Sequence, residues 1–173
     1  MEGDNIYYSH AGALPLVRRI SHIARVRIVE RILAVLKPTI ATILDIGTSD
    51  EMTLESNMLQ QLYPYRDALT CASLSDGSRI TKAYPGVKHV RIQRNTHLPF
   101  QDREFSCAYS NAVIEHCGDR DQQRFFLMEL CRVSRCQFVV APNPWFPVEH
   151  HTGLPFVHWL PGGMFRFLLS RSP

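Results

Sequence analysis

The chain is expected to fold as an α/β sandwich, with a mostly parallel sheet between two helical layers. Three observations predict it. Short apolar runs rich in β-branched residues alternate with segments of helical spacing along 173 residues, a pattern that implies crossover connections. Each run ends in polar residues: Asp45 and Gly47, Ser75 and Asp76, Arg94 and Asn95, Ser110 and Asn111, then Asn143. Apolar residues make up 45% and charged residues 20%, the balance of a globular domain with a real core.

The elements follow in order. From about residue 14 to 37, Leu16, Ile20, Ile23, Ile28, Ile32 and Val35 recur at helical spacing, and Pro38 stops the helix because it lacks an amide donor. Arg18, Arg19, Arg25, Arg27 and Arg31 crowd the same segment. Such a cluster ordinarily marks the solvated face of a helix; a surface for anions, lipid headgroups or a partner is the rarer alternative. Residues 40–46 read as a strand buried on both faces. A short helix over 55–62 follows, broken at Tyr63-Pro64-Tyr65.

The second strand is expected over 68–74, with a turn at Asp76-Gly77 and a short helix near Ile80. Further strands are expected over 87–93 and 105–109. Asp119 or Asp121 can cap the next helix, which points Phe125, Phe126, Met128, Leu130 and Val133 mostly inward. Residues 137–141 form the fifth strand, and a loop and helix fill about 143–173. No repeat or long polar linker interrupts the chain, so residues 1–173 read as one domain with a core over about 40–142. A parallel sheet of this kind binds ligands beyond the carboxyl ends of its strands, where strand order reverses.

Bulk properties exclude several classes. The formal net charge of +3 does not imply a nucleic-acid partner. No apolar stretch approaches the ~18 residues of a membrane span, and no secretory leader is visible. Cys71, Cys107, Cys117, Cys131 and Cys136 form no C-x-x-C pair. A cytoplasmic protein with reduced thiols is the expectation. The G-x-S-x-G elbow of hydrolases, the G-x-G-x-x-G of nicotinamide binding and the P-loop lysine motif are all missing. Glu149, His150, His151 and His158 do not share one helix face, so no metal site is expected.

Ile43-Leu44-Asp45-Ile46-Gly47 resembles the first motif of class I S-adenosylmethionine-dependent methyltransferases. Leu98-Pro99-Phe100, Asp102, Phe105 and the run from Tyr109 to His116 resemble the second signature of the methyltransferase type 11 group. Residues 141–152, with 154–156 and 158–161, are similar to a bacterial branch of that group. The resemblance covers roughly residues 25–165. It implies a Rossmann-like fold and S-adenosylmethionine as cofactor. Asp45 and Gly47 would then lie beside its methionine end. Asp76, with Ser75 as the rival, would accept hydrogen bonds from the ribose. Arg94 and Asn95 would face the adenine, and Ser110 and Asn111 the amino-acid portion or the transferring methyl.

Three departures accompany the resemblance. The glycine-rich turn is reduced to Gly47-Thr48-Ser49-Asp50, Arg94 replaces the adenine-contacting acid, and no sequence remains after about residue 169 for the family's last two strands. An exposed sheet edge of that kind would favour a homo-oligomer. For acid–base work the candidates are Glu115 and His116, which alternatively brace the helix after the fourth strand, and His150 and His151 in a loop expected over the strand ends. Trp145, Phe146, Phe156 and Trp159 either pack that loop or stack on a substrate. The sequence thus points to methyl transfer onto a small-molecule or glycan-type acceptor. The alternative is a catalytically silent methyltransferase-like module for binding or oligomerisation.

Overall fold

Ile43–Ile46, strand β1, is buried at every position, because an apolar strand in the middle of a parallel sheet has helices on both faces. The computed structural model describes residues 15–36, 41–52, 56–141 and 143. The chain divides into two compact units, of which residues 22–141 hold all five strands. The other strands are β2 (Leu69–Ser73), β3 (Lys88–Arg91), β4 (Phe105–Asn111) and β5 (Ser134–Val140). They form one sheet of order β3-β2-β1-β4-β5, and every pairing is parallel. All five carboxyl ends therefore lie along one edge. The parallel pairing is as the alternation of elements predicts, and the order reverses between β1 and β4.

Side chains alternate across the sheet and split the core into two layers. Ile43, Leu69, Cys71, Cys107 and Tyr109 pack with Val29 and Ile32 of helix α1 (Pro15–Leu36) and with Met58 and Leu59 of helix α2 (Met58–Leu62). Leu44, Ile46, Ala72 and Ala108 pack on the other face with Leu130 and Val133 of helix α4 (Arg120–Val133). Ile80 of helix α3 (Ser78–Ala83) joins the first layer. Each such buried aliphatic side chain stabilises the fold by ~2 kcal/mol.

Where the boundaries differ from the sequence reading, the reasons are local. The core-facing stripe of α1 runs through Val26, Ile28, Val29, Ile32, Leu33 and Leu36, so Ile28 and Ile32 face inward as expected, whereas Ile23 is 42% and Val35 69% exposed. Apolar residues lie all round this helix, so spacing alone selects only part of the inward row. On α4, Met128 is exposed and Glu129 is buried. The helix is capped as expected: Asp119 accepts from Gln122 N, and the Gln122 side chain accepts from Asp119 N, a reciprocal capping box. β5 begins directly after α4, three residues earlier than its apolar run suggests.

Glu129 is buried for a specific reason. Its carboxylate accepts from Arg132 Nε at 2.9 Å, from Arg132 Nη2 at 2.8 Å and from Leu98 N at 2.8 Å, and pairs with His97 Nδ1 at 3.0 Å. Arg132 also donates to the carbonyls of Phe100 and Leu98 and to Asp102 Oδ1. One bidentate pair thereby pins the loop from His97 to Asp102 onto α4. The Arg132 guanidinium is the main cause that holds the Glu129 carboxyl down at about 2.

Candidate functional site

The crevice between the ends of β1 and β4 is where this topology places a ligand. At the end of β1 the chain turns at Gly47, with φ +89°, a conformation that favours glycine. Gly47 N donates to Ala72 O at 2.8 Å, which holds the turn against β2. A Cβ on Gly47 would lie 2.2 Å from Val113 Cγ2. The close approach that this glycine permits is thus made by Val113. At the end of β4, Ala112 adopts φ +56° and its N–H donates to Val140 O at 2.9 Å. This kink leads Val113 to its place beside Gly47.

The loop after Gly47 contains no second glycine, and Asn57 shapes it instead. Asn57 sits in the left-handed region at φ 56°. Its Nδ2 donates to Ser49 O at 2.9 Å and to Glu51 O at 3.3 Å, and its Oδ1 accepts from Ser49 N at 3.3 Å. Ser49 Oγ in turn accepts from Glu51 N at 3.0 Å. The amide satisfies backbone groups that a glycine-rich turn would leave to solvent or ligand.

Asp45 is buried in β1 between Cys71 of β2 and Tyr109 of β4, its register neighbours. Gln60 Nε2 donates to Asp45 Oδ2 at 2.5 Å and to Cys71 Sγ at 3.0 Å. Burial pushes the Asp45 carboxyl up to about 7, against the opposing pull of the Gln60 hydrogen bond. The same burial pushes the Cys71 thiol and the Tyr109 hydroxyl upward, and the Asp45 charge adds to both shifts. Gln60 Oε1 is buried without a hydrogen-bond partner among the described residues.

Further polar groups gather on this edge. Ser110 is fully buried near the end of β4, opposite Ile46, and Asn111, half-buried, ends the strand. Ser110 Oγ, Asp50 Oδ1 and Glu115 Oε2 are buried with no hydrogen-bond partner among the described residues. Glu115 and His116 lie in the 3-10 turn Ile114–His116, Glu115 half-buried and His116 exposed.

At the tip of β2, Ser73 Oγ lies 2.8 Å from Ser75 Oγ and 2.9 Å from His89 Nε2. Asp76 is exposed, and its Oδ1 accepts from Ser78 N at 3.0 Å. That hydrogen bond is the main cause lowering its carboxyl. Arg94 and Asn95 occupy the exposed turn after β3, with Asn95 at φ 56°. The Arg94 charge counters the upward push of burial on the Cys117 thiol. His150, His151 and the aromatic residues 145–159 lie outside the described residues.

The structure thus brings Gly47, Ser110 and Asn111 to the β1–β4 crevice, Asp45 beneath it, Glu115 just beyond it, and Ser75 and Asp76 to the neighbouring tip. Sequence reasoning missed Asn57, Gln60, Ser73, His89 and Val113. Asn57 carried a signal, an Asx residue directly before an apolar helix. Gln60 carried none, since a glutamine in a short helix is ordinarily exposed.

The sequence matches no protein-family model and no curated protein. Solved structures are similar to it. A protein of Methanococcus maripaludis assigned as an S-adenosyl-L-methionine-dependent methyltransferase aligns with a TM-score of 0.50 and 15% identity over 70% of this chain and 60% of its own. A protein of Pyrococcus horikoshii OT3 aligns with a TM-score of 0.52 and 15% identity over 68% of this chain and 57% of its own. The fold is that of the Rossmann-like methyltransferases. An S-adenosylmethionine-dependent methyltransferase of Thermotoga maritima aligns with a TM-score of 0.48 and 16% identity over 72% of this chain and 53% of its own. The chain spans 53% to 60% of the length of these three structures. At such identities the likeness is one of fold alone.

Proposed function

We propose that this chain carries the cofactor half of an S-adenosylmethionine-dependent methyltransferase of the type 11 group, acting in the cytoplasm on a small-molecule or glycan-type acceptor. One observation supports the reading above the others. On the loops and strand ends at the β1–β4 switch point, Ser110, Asp50 and Glu115 each keep a buried oxygen without a partner among the described residues. Buried polar atoms without partners are rare in folded proteins and call for a ligand or ordered water. Their acceptor chemistry fits the ammonium donor of an amino-acid moiety.

In this reading the bound cofactor supplies an electrophilic methyl group on a sulfonium. The chain's task is then mostly placement. Ser110 and Asn111 orient the amino-acid portion, and Arg94 and Asn95 border the adenine. Asp45, held by Gln60 beneath the Gly47 turn, puts a titratable charge under the crevice rather than in it. Glu115 is the better group to take an acceptor's proton, since it is half-buried with an unpartnered oxygen, whereas His116 is exposed.

A second reading, a methyltransferase-like module without catalysis, draws support from the Gly47–Val113 contact, which covers the glycine with protein. Titration calorimetry with S-adenosylmethionine and S-adenosylhomocysteine separates the two. Binding of both below millimolar concentration is expected, and binding of neither at millimolar ligand rules the enzyme reading out.

A further inference from the structure

Resting on the methyltransferase reading, we infer that the ribose of the cofactor is held by a hydroxyl–imidazole relay of Ser75, Ser73 and His89, and not by the carboxylate of Asp76. A ribose diol offers two O–H donors, and a binding site must supply acceptors for them. Asp76 is the obvious acceptor by residue type, but its position commits it elsewhere. It lies three residues beyond the last residue of β2, is exposed, and accepts the N–H of Ser78 at the start of α3.

Ser73 occupies the place that Asp76 does not. It is the last residue of β2, buried, and adjacent to Ala72, whose carbonyl holds the Gly47 turn. Ser73 Oγ stands within hydrogen-bond distance of Ser75 Oγ on one side and His89 Nε2 on the other. The imidazole is held from above by Gly77: a Cβ there would lie 2.1–2.3 Å from the His89 ring atoms, and Gly77 has φ +69°. The Asp76-Gly77 pair is therefore more than a turn, because the absent side chain of Gly77 is what seats His89 against Ser73.

Ser73 Oγ links the two other groups, and whichever way the hydroxyls run, the half-buried Ser75 oxygen keeps at least one lone pair for an outside donor. A ribose hydroxyl is such a donor. Arg91, whose charge acts on Asp76, is itself committed, its Nε donating to Leu74 O at 3.1 Å.

The test is calorimetry of the full chain with S-adenosylhomocysteine and with its 2′-deoxy and 3′-deoxy forms. The wild-type protein should bind at least one deoxy form about tenfold more weakly than the parent. Ser75→Ala and His89→Ala should weaken the parent by about the same factor and erase the preference over the deoxy forms. Asp76→Asn should keep both affinity and preference. Loss of the preference in Asp76→Asn, or its survival in Ser75→Ala, overturns the relay. Should His89→Ala melt early, Ser75→Ala decides alone, since that side chain is only half-buried. A wild-type chain that binds none of the three ligands removes the methyltransferase reading itself, a result distinct from failure of the relay.

Discussion

Gln60 Nε2 donates to Asp45 Oδ2 at 2.5 Å, and both side chains are buried. This pair joins α2 to the middle of β1 at the only acid in that strand.

The Asp45 carboxyl, raised from its usual range to about 7, makes stability depend on pH. The folded state holds the proton more tightly than the unfolded chain. The associated stabilisation is present below about pH 4, declines as pH rises, and is gone above about pH 7, at most about 4 kcal/mol in all. Asp45→Asn removes the decline and leaves the protein more stable than wild type at pH 8. Urea unfolding at pH 5 and pH 8 checks both statements. An unchanged pH slope in the variant would show that Asp45 is not the group responsible.

Gly47→Ala places a methyl 2.2 Å from Val113 Cγ2 at a φ of +89°. Steric overlap and backbone strain together should cost ~3 kcal/mol. Val113→Ala in the same chain should restore part of that loss and leave ~1 kcal/mol of strain. Chemical denaturation of the two single variants and the double variant measures the coupling; strict additivity would contradict the contact.

Arg132→Ala strands the buried Glu129 carboxylate and frees the loop from His97 to Asp102, with an expected loss of ~3–5 kcal/mol. Glu129→Gln in the Arg132→Ala background should recover some stability by removing the orphaned charge. Glu129, held at about 2 by Arg132, also stabilises the wild-type fold above the ordinary glutamate range, and that share is lost as pH falls from about 4 towards 2. Acid titration followed by circular dichroism should show a later transition in wild type than in Arg132→Ala.

Asn57→Gly keeps the left-handed backbone of Asn57 but deletes its hydrogen bonds to Ser49 and Glu51. Stability should fall by ~1–2 kcal/mol, with faster amide exchange at Ser49 and Glu51. Asn57→Ala should cost more, because alanine also strains at φ 56°. Exchange rates that match wild type would show that the amide does not shape the turn.

Much of the scaffold was legible in the residues. Alternation of apolar runs and helical segments located all five strands, and the Asp119 cap located α4. The β1 motif and the polar tips identified the right edge of the sheet. What spacing could not supply was the full row of a mostly apolar helix that faces inward, hence the partly displaced stripe on α1. Nor could it show that Glu129 would be buried with the half-buried Arg132, three residues on, as its partner, since ion pairs on helices are ordinarily exposed. Asp45, Gly47 and Ser110 were readable as residues of the strand-end edge between β1 and β4, and the tip of β2 was less so. There a carboxylate drew attention by type, while Ser73 and His89 meet only through the β2–β3 pairing.

Val133 ends α4 and Ser134 begins β5, with no residue between them. A joint of zero length has no slack, so tilting the helix must drag the strand along. The Glu129–Arg132 clamp rides on the same helix, and loop 97–102, α4 and β5 therefore form one stiff lever. A rearrangement that admits a ligand at the switch point is expected from the other side of the crevice, where the side chains of Asn57 and Ser56 latch the segment after Gly47.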